Sequence, residues 1–512
     1  MNEKLKNWEE IKLEKICSRI TKGGTPTTYG YAFQKEGINF IKVENLNKGT
    51  VDLRSITDFI SQEAHAFQKK SQLQEGDLLF SIAGTIGETC IIKKEILPAN
   101  TNQALAIIQG FHTVLTPNFL NFQLDSFVAR KVTSKARGGA MNNVSLGDLK
   151  NLDVLIPPLP EQRAIVAKIE QLFSELDTGM ANLKAAKDKL EIYRQAVLKK
   201  AFEGELTKEW REQQTDLPTA DELLEQIKEE RLKHYKNQLR EWEEAVAKWE
   251  EKGKQGKKLS KPTKIKSELE LQQHESQKLI NLPKKYWTYI NIDFASSKLG
   301  DGLHGTPKYS DGEYYFINGN NLQVGKIVFK HDTKKVSKEE ALKHYRELTD
   351  RTVLVSINGT LGNIAFYNNE KVMLGKSACY FNLLNPINKN FIRWLIESYE
   401  FRNYAFKTAT GTTIKNVPLK AMRNFIFPLC SEKEQAQIVQ EIESRLSVCD
   451  NILANIEEGL EKSEALRQSI LKQAFEGKLL SEDELEGCRQ EPDWEPAEKL
   501  LEEIKNKKLV TS

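Results

Sequence analysis

Several features of metalloproteins, membrane proteins and disulfide-stabilised proteins are missing from this sequence. Its six cysteines form no Cys-x-x-Cys pair, and its seven histidines form neither a His-Glu-x-x-His nor a His-x-His pattern. Neither a zinc site nor a disulfide framework is therefore predicted. No apolar run approaches the roughly 20 residues that cross a bilayer. Because the N-terminus has no apolar signal core, we expect a cytoplasmic protein.

The motifs of nucleotide-using enzymes are also absent. Residues 375–377 (Gly-Lys-Ser) resemble the end of a phosphate-binding P-loop, but Glu370 stands where that motif needs its first glycine. Residues 156–159 (Ile-Pro-Pro-Leu) lack the leading Asp or Asn and the following aromatic residue of an amino-methyltransferase motif. No glycine-rich cofactor loop, nucleophile elbow or metal-ligand cluster is present either. We therefore expect no enzymatic activity and no bound cofactor in this chain.

The sequence has almost no excess of charge of either sign, because 75 basic and 72 acidic residues leave a net charge of +3. This balance by itself does not indicate a nucleic-acid-binding protein. The charge is unevenly distributed, however. Residues 1–156 hold 19 basic and 16 acidic side chains, and residues 281–430 hold 21 and 12. On charge alone the second region is a plausible polyanion-binding domain, and the first is marginal.

The sequence does contain a long internal repeat, with a period of about 273 residues. The matched segments are Trp8 and Trp287, Gly-Thr-Pro at 24–26 and 305–307, Ser-Ile-x-Gly-Thr-x-Gly at 81–87 and 356–362, Glu-Gln at 161–162 and 434–435, Ile-Val at 165–166 and 438–439, Ala-Phe-Glu-Gly at 201–204 and 474–477, and similar tails at 220–228 and 497–505. Chance does not supply so many matches in one order. The chain therefore consists of two copies of one plan: a globular domain, a helix and a connector.

Each copy contains a long helical segment with heptad spacing of apolar residues, which is typical of a coiled coil. Gly179 and Ser463 interrupt the apolar seams locally. A helix of about 40 residues spans about 60 Å and would expose an apolar stripe. We predict that the two helices pair antiparallel, although each could instead pack on its own domain. The residues predicted to form the pairing face are Ile169, Leu176, Leu183, Leu190, Val197, Ile442, Leu446, Leu453, Ile456, Leu460 and Ile470.

Both globular regions contain short β-type runs separated by Gly, Asn and Thr turns, which predicts an α+β fold. The predicted strands lie at 38–43, 78–82, 90–93, 314–317, 352–357 and 364–367. The expected organisation is a first globular domain at 1–156, a first helix at 157–205, a charged helical connector at 206–282, a second globular domain at 283–428, a second helix at 429–480 and a C-terminal tail at 481–512.

The connector is rich in charge of both signs, with 16 basic and 16 acidic side chains over residues 207–280. Its part from 218 to 251 carries spaced leucines together with Trp242 and Trp249, which are seven residues apart. We predict an exposed helix followed by a flexible hinge at 252–258. A solvated helix stabilised by salt bridges and a partner-binding helix are both consistent with this pattern.

Basic and aromatic side chains alternate with Gly and Thr in four loops, two in each globular domain. Small residues let backbone amides approach phosphates, and Lys or Arg neutralises the phosphate charge. Ordinary turn chemistry explains the glycines and prolines as well, so both interpretations stay open. The candidate DNA-contacting residues are Lys22, Thr25, Thr27, Tyr29, Lys135, Arg137, His304, Thr306, Lys308, Tyr309, Lys407, Thr412 and Lys415.

The repeated motifs at the ends of the domains and of the long helices resemble those of one protein family. Residues 157–166 (Pro-Pro-Leu-Pro-Glu-Gln-Arg-Ala-Ile-Val), followed by a long helix ending in Lys-Lys-Ala-Phe-Glu-Gly at 199–204, are similar to the specificity subunits of type I restriction–modification systems. The second copy repeats this pattern with a three-residue insertion before Glu434. The Gly-Thr-Pro and Ser-Ile-x-Gly-Thr-x-Gly motifs fit the same family. The resemblance covers nearly the whole chain, and the long connector departs from it.

This resemblance implies a fold and a function. The fold would be α+β, with two α/β target recognition domains joined by two long antiparallel coiled-coil helices in a duplicated, pseudo-two-fold arrangement. Each domain would read one half of a split double-stranded DNA site, and the helices would fix the unread spacer and dock two modification subunits. Those subunits would bind S-adenosylmethionine and methylate adenine, and restriction subunits that act as motor and nuclease, with ATP and Mg, would cleave unmethylated DNA. The chain itself would be non-catalytic, without a cofactor or a membrane partner.

Two other functions remain compatible with the residues. The chain could be a coiled-coil interaction scaffold whose globular domains bind proteins, and its binding to DNA would then not depend on salt concentration. It could also be an autonomous methyltransferase, which would require the isolated chain to bind S-adenosylmethionine.

Overall fold

The computed structural model describes residues 6–47, 49–135, 144–254, 260–262, 269, 271 and 282–502, and the side chains at 127–135 are not described. The chain divides into two compact units. Unit 1 comprises Met1–Ala185 and Ile456–Ser512, and unit 2 comprises Ala186–Asn455.

The first globular domain alternates short strands with short helices. Its elements are β1 (Glu9–Lys12), α1 (Leu13–Ile16), β2 (Arg19–Lys22), β3 (Ile38–Ile41), β4 (Leu46–Asn47), β5 (Thr50–Val51), β6 (Phe59–Ile60), α2 (Gln62–Phe67), β7 (Leu78–Ser81), β8 (Thr89–Ile91), β9 (Ala99–Thr101), β10 (Leu105–Gln109), α3 (Pro117–Lys135), α4 (Leu146–Lys150) and β11 (Asp153–Ile156). Three helices follow it: α5 (Leu159–Phe202), α6 (Lys208–Glu212) and α7 (Ala220–Glu251).

The main sheet of the first domain is antiparallel and has the strand order β2-β10-β7-β8. Its strand β10 is buried on both faces, because alternate residues of a strand point to opposite sides. Ala106 and Ile108 join the core formed with α3, whereas Leu105 and Ile107 join a second core on the other face. A smaller sheet, β6-β3-β9, contains one parallel pair, β3 with β9.

The second globular domain begins after the connector. Its elements are β12 (Thr288–Asn291), α8 (Ile292–Ala295), β13 (Ser296–Asp301), β14 (Tyr309–Ile317), β15 (Leu322–Gln323), β16 (Lys326–Ile327), β17 (Lys335–Val336), α9 (Lys338–Lys343), β18 (Thr352–Ser356), β19 (Ile364–Phe366), β20 (Val372–Leu374), β21 (Ala378–Leu383), α10 (Lys389–Glu397), α11 (Tyr399–Thr408), α12 (Leu419–Asn424) and β22 (Ile426–Leu429). The chain continues into α13 (Glu432–Phe475) and α14 (Glu482–Arg489).

The two domains repeat one topology. The sheet β13-β21-β18-β19 corresponds to β2-β10-β7-β8, and β17-β14-β20, with its parallel pair β14-β20, corresponds to β6-β3-β9. The pair β12-β22 corresponds to β1-β11, and in both domains this pair joins the first strand to the last. The α+β fold, the predicted strands and the internal duplication are therefore confirmed.

The two long helices, α5 and α13, pair antiparallel within each unit, as predicted. In unit 1, Asp177 forms an ion pair with Arg467, and further along α5 the side chain of Leu183 lies against Gly459. In unit 2, Arg194 pairs with Asp450 at 2.5 Å. Residue numbers rise along α5 while they fall along α13, which defines the antiparallel direction. α5 continues through Gly179 without a break.

The repeated Glu-Gln pair begins each long helix and joins it to its own domain. Each glutamine side chain accepts a hydrogen bond from one backbone N–H and donates to two backbone carbonyls. Gln162 accepts from Thr116 (2.8 Å) and donates to Val114 (2.7 Å) and Pro157 (2.8 Å); Gln435 accepts from Asn388 (2.8 Å) and donates to Pro386 (3.2 Å) and Cys430 (2.8 Å). Both glutamines are fully buried, and the three bonds satisfy a side chain that would otherwise destabilise the core.

The glutamate of each pair binds a different segment in each unit. In unit 1, Glu161 accepts hydrogen bonds from the indole N–H groups of Trp8 (2.7 Å) and Trp494 (3.4 Å). Burial raises the pKa of Glu161, and these indole bonds oppose the shift. In unit 2, Glu434 instead accepts from Thr207 and Arg211, both at 2.8 Å. The C-terminal tail and the start of the connector thus pack on equivalent turns of the two helices.

The prediction of an exposed connector helix is wrong for the beginning of α7. Leu223 and Ile227 are fully buried in the core of unit 2, and Arg231 donates to the backbone carbonyl of Phe294 at 2.9 Å. These contacts are made with residues distant in sequence, which the local charge pattern could not reveal. Further along, Lys233 forms an i,i+3 ion pair with Glu230, as a solvated helix does. Part of the predicted hinge, residues 255–258, lies outside the described residues.

Candidate nucleic-acid interface

The Gly-Thr-Pro loop of unit 1 follows β2 and ends in a turn of 3-10 helix. Gly23 approaches the backbone of Thr101 so closely that a Cβ atom would lie 2.0 Å from the carbonyl oxygen. This position therefore requires glycine. The Thr25 hydroxyl donates to the side chain of Gln103 and holds the loop in place. Lys22, Thr27 and Tyr29 are exposed beside this anchored backbone.

The exposed Tyr29 ring belongs to a cluster of three aromatic side chains. Phe67, at the end of α2, lies 5.6 Å from the ring centroid of Tyr29 and 5.6 Å from that of Tyr31. Tyr29 is 54% exposed and Phe67 is 59% exposed. Sequence reasoning selected Tyr29 but missed Phe67, because α2 lies more than thirty residues away and no local signal connects the two.

The second candidate loop of unit 1 lies mostly outside the described residues. Arg137 lies outside the described residues, and the side chain of Lys135 is not described. Where the described chain resumes, the backbone N–H of Val144 donates to the carbonyl of Ile82 at 3.0 Å. That bond attaches Val144 to the Ser-Ile-x-Gly-Thr-x-Gly segment.

The first candidate loop of unit 2 lies beside α9. The backbone N–H of Lys308 donates to the side chain of Glu340 on α9 at 3.2 Å. His304 is exposed and its ring lies 2.6 Å from the Asp301 carboxylate. Thr306 is exposed as well, and Tyr309 is 48% exposed. The structure therefore brings all four predicted residues of this loop onto one exposed turn.

The second candidate loop of unit 2 is a short hairpin that follows α11. Thr410 and Asn416 exchange backbone hydrogen bonds of 2.8 and 2.9 Å, and Thr412 is exposed at the tip. The Lys415 ammonium lies 5.4 Å from the centroid of the Phe406 ring, and Lys407 is exposed at the end of α11. Lys407, Thr412 and Lys415 thus lie on a different loop from the residues His304–Tyr309.

The hairpin and the Ser-Ile-x-Gly-Thr-x-Gly motif form one assembly in unit 2. The backbone N–H of Gly359 donates to the carbonyl of Lys415 at 3.0 Å, and Val417 donates to Ile357 at 2.8 Å. The Ser356 hydroxyl donates to the carbonyl of Thr360 and closes the loop. Ser81 closes the equivalent loop of unit 1 through Thr85, at 2.5 Å. The motif is therefore a pinned turn, with the Gly-Thr tip exposed in both units.

The residues predicted to form the pairing face are buried to different degrees. Six of them are buried: Ile169, Val197, Ile442, Leu446, Ile456 and Ile470. The other five are half-buried: Leu176, Leu183, Leu190, Leu453 and Leu460. The interruption at Ser463 is compensated locally, because its hydroxyl donates to the carbonyl of Gly459 at 2.8 Å.

Comparison with known families matches both copies of the repeat. The type I restriction modification DNA specificity domain matches residues 5–185 and 275–462. The chain belongs to the family of type I restriction–modification specificity subunits. The members of this family are non-catalytic components of those systems, and the specificity subunit described here carries the domain twice.

Curated relatives support this assignment. This specificity subunit is 34% identical over 227 residues to the type I restriction enzyme EcoBI specificity subunit of Escherichia coli, an alignment that covers 43% of this chain and 48% of that protein. It is 23% identical over 470 residues to the EcoDI specificity subunit of the same organism, with 91% of this chain and 90% of that protein covered. The first of these alignments therefore spans about half of the relative, and the second spans nearly all of it.

Among solved structures, a chain from work on the complex assembly and conformational transition of the type I R-M system has the same fold. The TM-score is 0.62 at 15% sequence identity, and the match covers 92% of this specificity subunit and 98% of that chain.

The described residues of the specificity subunit contain no group of three His, Cys, Asp or Glu side chains placed to hold a metal ion. All six cysteines are buried. Among the described helices, none has both the length and the apolar character needed to cross a membrane.

Proposed function

We propose that this specificity subunit reads a split double-stranded DNA site, each globular domain contacting one half. The observation that carries the proposal is the combination of a repeated scaffold with different exposed loops. The two domains share their strand order and their pinned Gly-Thr turns, whereas the exposed side chains between these elements differ in sequence. Two different half-sites require this combination, because the shared scaffold holds two different reading surfaces.

In this proposal the candidate loops provide two kinds of contact. Lys22, Lys308 and Lys407 are exposed cations that neutralise phosphates and set the affinity. Side chains such as Thr27, Tyr29 and Thr412 approach base edges and set the sequence preference. The net positive charge of the second domain supports this assignment.

The paired helices set the distance between the half-sites and dock the partner subunits. Two readers on one duplex must face grooves about one helical turn apart, or multiples of it. The inner faces of α5 and α13 are used for pairing, and their outer faces remain exposed to partners. Because the chain carries each part twice, we propose that it docks two modification subunits. These subunits and the restriction subunits would supply S-adenosylmethionine, ATP and Mg chemistry.

Methylome sequencing tests the proposal most directly. The host genome is sequenced for modified adenine with and without this gene. We expect one bipartite motif, with a fixed unread spacer, to lose its methylation when the gene is deleted. A methylome that does not change would contradict the proposal.

A binding measurement distinguishes DNA reading from a protein scaffold. The purified complex with modification subunits is titrated with motif and random DNA at several salt concentrations. We expect affinity for both to fall as salt rises, because phosphate contacts release counterions, and the motif to bind more tightly throughout. Affinity independent of salt, or equal for both DNAs, would favour the scaffold.

A further inference from the structure

Unit 1 carries an aromatic cluster in which two rings, Tyr29 and Phe67, are exposed, while Tyr31 is half-buried against the core around Phe40. It consists of Tyr29, Tyr31 and Phe67, with Phe67 in contact with both tyrosine rings. Single exposed apolar residues are ordinary on protein surfaces, but a contiguous exposed group indicates an interaction site. Phe67 is the clearest case, because it is 59% exposed and has no polar atom to offer water.

The backbone under Phe67 is held rigidly, so the exposure is built into the domain. Ser61 caps α2 by accepting from the backbone N–H of Ala64 at 3.1 Å, and Ala64 is fully buried. The His65 ring bonds to the side chain of Asn100, which is buried and donates to the Ser71 hydroxyl at 2.7 Å. Phe67 therefore lies at the end of a helix whose backbone is held in place, and its position is set before any partner binds.

The surroundings of the cluster favour a polyanion. The segments that carry it, residues 19–36 and 61–72, hold five basic and two acidic side chains. Lys69 and Lys70 follow Phe67 after one buried residue, Gln68, and are exposed. Arg19 donates to the carbonyl of Lys70 and so joins this basic segment to the strand that leads into the Gly-Thr-Pro loop. An exposed apolar ring on a segment that also carries exposed lysines suits a base flanked by phosphates.

Unit 2 has an exposed aromatic residue shortly after the equivalent helix, two residues beyond its end. α9 is capped by Ser337 as α2 is capped by Ser61, and Tyr345 follows α9 with 63% of its surface exposed. Tyr345 lines a cavity of about 330 Å³ together with Tyr314 and Tyr367. The two units therefore carry different aromatic side chains near equivalent helices, which suits a reader of two different half-sites.

We propose that Phe67, supported by Tyr29 and Tyr31, makes an apolar contact with a base in the half-site read by unit 1. The proposal rests on the DNA-reading function proposed above. The rings of Tyr29 and Tyr31 are tilted by 58° and 49° from that of Phe67, so the three rings do not form a flat stack. We expect the exposed Phe67 ring to meet a base edge, such as a thymine methyl group, or to enter a base step as a wedge.

The test compares Phe67→Ala with Leu53→Ala, which removes another exposed apolar side chain of unit 1. Each full-length variant is purified with its modification subunits and titrated with the methylome-defined motif and with random DNA. For Phe67→Ala we expect motif affinity to fall about 10- to 100-fold and preference at one position of one half-site to relax. Random-DNA affinity and the salt slope should change little, and Phe67→Leu should keep part of the affinity. Leu53→Ala should bind like the unaltered complex.

Three results would overturn the inference. An equal loss on motif and random DNA would indicate a contact without sequence information. Unchanged motif affinity would remove Phe67 from the interface. Loss of the modification subunit during purification of Phe67→Ala would assign the cluster to a protein contact. In each case the unaltered complex would still prefer its motif, whereas failure of the proposed function would abolish that preference in the unaltered complex itself.

Discussion

At the scale of residues, the repeated positions serve the fold. Gln162 and Gln435 make the same three hydrogen bonds and fasten each long helix to its domain. Their glutamate neighbours are less alike, because Glu161 accepts hydrogen bonds from two indole N–H groups, whereas Glu434 accepts one from the guanidinium of Arg211. The second arrangement buries a charged pair, with Arg211 at 8% side-chain exposure and Glu434 at 0%.

Arg211→Met is expected to destabilise unit 2 by about 3–5 kcal/mol, because it leaves the Glu434 carboxylate buried without a counter-charge. Adding Glu434→Gln should recover much of that loss, because the uncompensated charge disappears. The midpoint of urea unfolding of the full chain measures both effects. Lys12→Met is the control, since it removes an exposed pair with Asp153 and should change stability by less than about 1 kcal/mol. If Arg211→Met and Lys12→Met lowered stability equally, that result would contradict this account.

At the scale of elements, the long helices owe their orientation to a few charges on an apolar seam. The pairs Asp177–Arg467 and Arg194–Asp450 are partly exposed, so each contributes little to stability. Their value lies in specificity, because charges beside a coiled-coil seam select direction and register. The Arg467 guanidinium also lies 4.2 Å from the centroid of the Phe173 ring, which adds a cation–π contact across the helices of unit 1.

Matched deletion of one heptad from each helix should change the unread spacer or abolish binding, and it should leave the half-site sequences unchanged. Residues 459–465 of α13 lie opposite residues 179–185 of α5 in the register given by Asp177–Arg467 and by Leu183 beside Gly459. Removing both segments keeps the pairing and shortens each helix by about 10 Å, which is about three base pairs of duplex. The methylome of a strain with this variant gives the new spacer.

Deleting residues 179–185 alone is the matched control. It places Asp177 and Arg467 out of register, and we expect loss of modification with no new motif. An unchanged spacer in the double deletion would refute the ruler function of the helices.

At the scale of the whole molecule, each globular domain is closed by its own first and last strands. β1 pairs with β11 and β12 pairs with β22, so the chain enters and leaves each domain at neighbouring strands. A domain with adjacent ends can be replaced while the rest of the chain keeps its path. The near-neutral total charge also belongs to this scale, because +3 is the sum of two positively charged globular domains, a balanced connector and an acidic C-terminal segment.

Exchange of residues 283–428 for the equivalent domain of another specificity subunit should change one half-site only. The expected motif keeps the half-site read by unit 1 and the original spacer, because neither the first domain nor the helices are altered. Methylome sequencing of the strain with the exchanged domain determines both half-sites and the spacer in one experiment. Simultaneous change in both half-sites would contradict separate reading by the two domains.

Much of the fold was predictable from local patterns. Heptad spacing predicted α5 and α13, β-type runs predicted the central strands, and the repeat predicted the shared topology. The candidate site was predictable only in part. The loops around Tyr29 and Lys308 contain Gly, Thr and Lys in adjacent positions, whereas Phe67 joins the cluster from a helix that no motif marks. The burial of Leu223 was missed because the connector is so highly charged.

The sequence alone determined the duplication, the two long helices, the α+β domains and the absence of nucleotide-binding motifs. All of these depend on spacing and residue type along the chain, which are local quantities. Only the tertiary structure decided that Gln162 and Gln435 fasten the long helices to their domains by hydrogen bonds. It also decided that the connector and the tail pack on equivalent helix turns. The exposed position of Phe67 beside Tyr29 is likewise a feature of the tertiary structure. These features depend on which distant residues meet, and that outcome is set by packing and hydrogen bonding over the whole domain.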